Sequence, residues 1–104
     1  MNNLFIHHVF FWLNDPQSTQ AVEKLRAGLQ NLSKVKTIRQ YHIGKPADTK
    51  RSVIENSYSL SWLVIFDNDA DQANYQVDPI HLQFIAECAE LWNKVLVYDS
   101  TDLI

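Results

Sequence analysis

The chain has a single cysteine, Cys88, in 104 residues. That excludes an intrachain disulfide and a zinc site built on thiolates. It has only two glycines, Gly28 and Gly44, which stand too far apart to form a glycine-rich phosphate cradle. Lys and Arg together number 9 against 12 Asp and Glu, and no basic patch stands out, which argues against nucleic acid as a partner. No apolar run approaches the ~20 residues of a membrane span. The apolar N-terminal stretch lacks a basic leader and a small-residue cleavage site, and the histidines His7 and His8 interrupt it. The expected location is therefore the cytoplasm, with no membrane partner. Nucleophilic triads, paired catalytic carboxylates, internal repeats and low-complexity segments are all lacking, and no motif calls for a cofactor.

What is present is a core. Hydrophobic residues make up 46% of the chain and aromatics 12%, enough to bury one hydrophobic interior. Residues 1–104 are read as a single domain, since domains typically run to ~100–150 residues.

Residues 4–13, "LFIHHVFFWL", are rich in β-branched and aromatic types and read as a strand. Asp15-Pro16 then reads as N-cap and first helical position. Val22, Leu25, Leu29 and Leu32 form one helical face, so the helix is expected from Pro16 to about Leu32 or Ser33. "KTIRQYHIG", 36–44, reads as a second strand, and the polar stretch 45–57 as a loop. "YSLSWLVIFD", 58–67, is a third strand. A short helix capped by Asn68 or Asp69 follows. Asp78-Pro79 restarts a helix expected to reach Trp92, and "KVLVYDS", 94–100, closes the chain as a strand. This β-α-β-β-α-β order predicts an α+β, ferredoxin-like fold, a four-stranded antiparallel sheet with helices on one face.

Side chains alternate across a strand. On the first strand Phe5, His7, Val9, Phe11 and Leu13 share one face, and Ile6, His8, Phe10 and Trp12 the other. The third strand presents Tyr58, Leu60, Trp62, Val64 and Phe66 on one side, and on its reverse three serines followed by Leu63 and Ile65. Both faces are apolar, yet helices cover only one, and an antiparallel sheet with a wet face should be polar there. Each large apolar side chain left wet forfeits roughly 1.5–3 kcal/mol. The expected uncovered set is Phe5, Val9, Phe11, Leu63 and Ile65, and the expected cover is a second copy of the chain, sheet facing sheet.

"IHHVFFWL", "YHIGK", "YSLSWLVIF", "YQVDPIHLQF" and "WNKVLVYDS", in that order across nearly the whole chain, resemble the stress-responsive α/β-barrel domain (Dabb) family. The resemblance implies a dimeric α+β barrel with the Ile6/His8/Phe10/Trp12 face beneath the helices. A plant member, olivetolic acid cyclase, closes a linear polyketide by an intramolecular aldol condensation without a cofactor. By resemblance its strand histidine falls on His8, its pocket tyrosine on Tyr75 and its helix histidine, proposed as the base, on His81. A further pocket histidine falls on Leu60, so an apolar group replaces a polar one.

His81 lies in the first turn of its helix, where the helix dipole disfavours an imidazolium and Asp78 favours it; a neutral ring is what a general base requires. Tyr75 is suited to donate to a carbonyl or enolate oxygen. Leu60, Trp62, Phe10 and Trp12 are expected to line the pocket. His7, pointing the other way, is read as structural. His7 and His8 cannot chelate one metal from opposite faces, and nothing local completes a site at His42, so no metal is expected. Lys45, Lys50 and Arg51 are read as solvated loop charges. Two functions stay open: a cofactor-independent lyase or cyclase acting on a small apolar carbonyl compound, and a non-enzymatic, stress-related homodimer that holds a small ligand or none.

Overall fold

The structure, a computed structural model, describes residues 3–104; Met1 and Asn2, which begin the stretch read as lacking a leader, lie outside the described residues. The elements are β1 (Phe5–Leu13), α1 (Thr19–Leu32), β2 (Ile38–Gly44), β3 (Leu60–Phe66), α2 (Asp69–Val77), α3 (Pro79–Cys88), a 3-10 turn (Ala89–Leu91) and β4 (Trp92–Thr101). The sheet has four strands in the order β2-β3-β1-β4. Every neighbouring pair is antiparallel.

The cap of α1 is Ser18, not Asp15. Its hydroxyl accepts from the Ala21 N–H at 3.1 Å. Asp15 instead closes a preceding turn, accepting from the Ser18 N–H through its carbonyl at 3.1 Å. Capping chemistry is available at both positions, and the one adjoining the apolar stripe wins. The helix expected from Asp78 to Trp92 ends at Cys88, and a 3-10 turn then feeds β4 two residues earlier than expected.

Asn68 caps α2, accepting from the Asp71 N–H at 2.8 Å. Asp78 ends α2 and caps α3, accepting from the Ile80 N–H at 2.8 Å. Pro79 has no N–H to continue the first helix and holds Asp78 extended, with ψ 138°. The break matters for the site. On an uninterrupted helix, at about 100° per residue, Tyr75 and His81 would point roughly 120° apart. Broken at Asp78-Pro79, both rings turn toward the sheet.

The strand register assigns the faces. Phe5 pairs with Phe66, His7 with Val64, Val9 with Trp62 and Phe11 with Leu60. Directly paired residues share a face. The Phe5/His7/Val9/Phe11/Leu13 set therefore lies beneath the helices with Leu60, Trp62, Val64 and Phe66, and forms the core with Leu25, Leu29 and Leu32 of α1. The expectation that the Ile6/His8/Phe10/Trp12 set lies there is overturned. That set is on the outer face, in register with Ile65, Leu63 and Ser61 on one side and Leu96 and Tyr98 on the other. The sheet is apolar on both faces, as the alternation implied, but Phe5, Val9 and Phe11 are covered within the chain. Ile6, His8, Phe10, Trp12, Leu63, Ile65 and Leu96 are the half-buried ones.

Helices α1 and α3 approach closely at Gly28. A Cβ there would lie 2.6 Å from Cys88 Sγ and 3.3 Å from the Phe84 ring. Gly28→Ala gains about 1 kcal/mol of helix propensity but overpacks a buried contact at a cost of about 1–3 kcal/mol. The expected outcome is a net loss of about 1 kcal/mol, read as a lower urea midpoint at unchanged slope.

Candidate functional site

Three rings meet on the covered face. Tyr75, in the last turn of α2, and His81, in the first turn of α3, have ring centroids 4.8 Å apart at 68°. His7, on β1, lies edge-on to Tyr75 at 5.8 Å. Phe66 closes another side of Tyr75 at 5.1 Å. Tyr75 is 1% exposed, and its hydroxyl accepts from the Trp62 indole N–H at 2.9 Å. That bond uses an oxygen lone pair and leaves the phenolic proton available for donation.

His7 is anchored from the sheet. Register places it opposite Asp99 of β4, and the carboxylate accepts from its Nδ1 at 2.6 Å. In the neutral ring this fixes the hydrogen on Nδ1 and leaves the lone pair on Nε2. His81 is the reverse case. Its Nδ1 is buried with no hydrogen-bond partner. A buried polar atom left unpaired costs about 1–3 kcal/mol, so it marks a place where a proton or a ligand atom would be welcome.

Electrostatics suit proton transfer. Burial lowers the His81 pKa below that of a free imidazole; His7 lowers it further, while Asp78 raises it. Burial pushes the Tyr75 hydroxyl far above the ordinary phenol range, only partly opposed by the bond from Trp62. Near neutrality His81 is an unprotonated imidazole beside a protonated phenol, a base and an acid in adjacent positions.

The lowered pKa of His81 carries a stability consequence. The unfolded chain protonates this histidine at about pH 6.5, whereas the folded chain does so only at lower pH. Between those two values the unfolded state binds more protons, so stability is full above pH 6.5 and declines as pH falls through the window. His81→Asn is expected to flatten that decline, measured by urea unfolding at a series of pH values. The His81 ring signals of the wild type should titrate below pH 6.5.

The structure brings Tyr75 and His81 together and keeps His8 apart. His8 lies on the outer face, its ring 4.3 Å from Phe10, with its pKa lowered by burial and then by His42 and His7. The histidine beside Tyr75 and His81 is its neighbour, His7. A shift of one residue flips a side chain to the opposite face. Phe10 and Trp12 also leave the expected lining. Phe10 packs on Tyr58 at 4.9 Å, and Trp12 donates to Ser57 Oγ at 3.0 Å beneath the Lys94 ammonium. Leu60 and Trp62 are on the covered face, 4% and 1% exposed. Sequence reasoning missed His7 and Asp99. Alternation groups His7 with Phe11 and Leu13, and Asp99 with Val95 and Val97, but does not say which face the helices cover. Among the described residues no three His, Cys, Asp or Glu side chains are grouped to hold a metal ion. No described helix is long and apolar enough to cross a membrane.

The family model of the stress responsive A/B barrel domain, Dabb, matches residues 5–102. The chain belongs to this family. Among solved structures, a Dabb protein with a ferredoxin-like fold from Mesorhizobium loti superposes with a TM-score of 0.81 at 17% identity, over 98% of this chain and 99% of that one. The hydroxynitrile lyase of Passiflora edulis gives a TM-score of 0.79 at 19% identity, over 98% and 95%. A dimeric ferredoxin-like protein of unknown function from Thermobifida fusca gives 0.78 at 17%, over 98% and 93%. At these identities the likeness establishes the ferredoxin-like fold. A comparison with curated proteins finds no match. Within the Dabb fold, the His7–Tyr75–His81 group sits where the helical break meets the first strand of the sheet.

Proposed function

We propose that this Dabb domain is a cofactor-independent acid–base catalyst of the lyase or cyclase type, acting on a small carbonyl compound as a cytoplasmic homodimer. The observation that carries the catalytic reading is the buried, unpartnered Nδ1 of His81 on a ring packed against that of Tyr75. In the proposed step Nδ1 removes a proton from the carbon next to a carbonyl. The C–H pair moves into the enolate, whose oxygen takes a hydrogen bond from Tyr75. The enolate then attacks a second carbonyl, and the proton returns to the alkoxide that forms. Cyanohydrin cleavage is the related lyase step: a base removes the hydroxyl proton, the carbonyl re-forms and cyanide leaves. His7, held by Asp99, is a second base within the same group. Phe66 and Trp62 close the sheet side of Tyr75, which restricts the site to small substrates.

The homodimer rests on the outer face of the sheet. Ile6, Phe10, Trp12, Leu63, Ile65 and Leu96 share this face in register, and among the described residues the helices pack on the opposite one. The Thermobifida fusca neighbour, described as dimeric, supports this reading.

A second reading, a ligand-holding or accessory dimer without turnover, is favoured by one observation: Tyr75 and Trp62 are each 1% exposed and bonded to one another. One assay separates the two. Hydrogen–deuterium exchange at the α-carbon of a small ketone, followed by NMR, and mandelonitrile cleavage are compared for wild type, His81→Gln and Tyr75→Phe. Catalysis predicts that His81→Gln lowers the faster of these rates by about 10²–10⁴-fold. Equal rates for wild type and variant, at the solution background, would leave the ligand-holding reading.

A further inference from the structure

We infer that a second site, distinct from the His7–Tyr75–His81 group, binds a monocarboxylate with an apolar tail. A cleft of about 910 Å³ opens between α1, the end of β2 and the segment leading into β3. Its apolar wall is made by Val22, Ile43, Pro46 and Leu60, and its cationic groups are Arg26 and Lys45. That size and that division, mostly apolar with a few placed polar groups, are those of small-molecule sites.

Charge selects the ligand class. The chain carries a net charge of −3, yet no Asp or Glu is among the described residues lining the cleft. Arg26 is held in a fixed orientation by Glu23, with Nε donating to Oε2 at 2.8 Å and Nη2 to Oε1 at 2.7 Å. This clamp leaves Nη1 outside the pair. Lys45 makes no ion pair among the described residues. A carboxylate between these cations, with its tail on Ile43 and Leu60, satisfies both halves of the lining. Trp62 separates this cleft from the acid–base group: it pairs with Ile43 on one side, and its indole N–H reaches Tyr75 on the other. The inference therefore stands whether or not the acid–base group turns over a substrate.

The test is a titration of the full chain with sodium octanoate, with 1-octanol as the uncharged control. It is followed by methyl NMR of Val22, Ile43 and Leu60. Saturable shifts at these methyls are expected with octanoate, tighter than with octanol. The double variant Arg26→Gln/Lys45→Gln is expected to weaken octanoate at least about tenfold while leaving octanol unchanged. Both side chains are exposed, so the fold tolerates the exchange. Absence of shifts at these methyls, shifts confined to Leu63 and Ile65 of the outer face, or equal binding of octanoate to wild type and double variant would each overturn the site.

Discussion

Trp62→Ala is expected to lower the unfolding free energy by about 3–5 kcal/mol, the range for truncating a fully buried large aromatic. Trp62 is 1% exposed, sits between Val9 and Ile43 in the register, and lies 5.7 Å from the Tyr41 ring. Removing it empties the middle of the covered face and leaves the Tyr75 hydroxyl without its donor. Against a total of about 5–15 kcal/mol for a domain, the loss should place the urea midpoint near or below the onset of the wild-type transition. Trp62→Phe separates the contributions, since it keeps most of the ring but not the N–H. It should cost less than the alanine variant and bring the Tyr75 phenol pKa further up, because the bond from Trp62 is what lowers it.

Leu63→Arg is expected to act on assembly with little effect on the fold. Leu63 faces outward between His8 of β1 and His42 of β2. Two-fold pairing of outer faces would bury two copies of the new charge, each beside histidines that cannot neutralise it. An uncompensated charge in such an interface costs about 3–5 kcal/mol, which corresponds to at least about 10² in the dissociation constant. Sedimentation velocity over a dilution series should show a concentration-dependent dimer for wild type and a monomer for the variant. Far-UV circular dichroism should be unchanged, because the covered face is untouched. A wild-type chain that sediments as a monomer throughout would remove the interface altogether.

How much was legible beforehand differs between the fold and the site. Element order followed from local signals: aromatic and β-branched runs for strands, the Leu25/Leu29/Leu32 stripe for α1, and Asp78-Pro79 for the restart of α3. These are short-range preferences, and they sit in the sequence itself. The face of β1 was not legible in the same way. "FIHHVFFWL" alternates apolar with apolar and places one imidazole on each side, so periodicity alone gives no parity. The parity is decided by pairing with β3, whose Leu60, Trp62, Val64 and Phe66 need the helices more than Leu63 and Ile65 do. Register is a long-range property, and a one-residue difference moved the strand histidine of the site from His8 to His7. Asp99 was hidden for the same reason, because its partner lies 92 positions away. Tyr75 and His81 were legible through the family resemblance carried by "YQVDPIHLQF", and the Asp78-Pro79 break between them is a local signal.

The most direct test is an aromatic NOE experiment on protein labelled in histidine and tyrosine. Tyr75 ring protons should show contacts to the imidazoles of both His7 and His81, and His8 should contact only outer-face neighbours such as Phe10 and Tyr98. Contacts from Tyr75 to His8, with none to His7, would contradict the placement on which the acid–base site and the outer interface both rest.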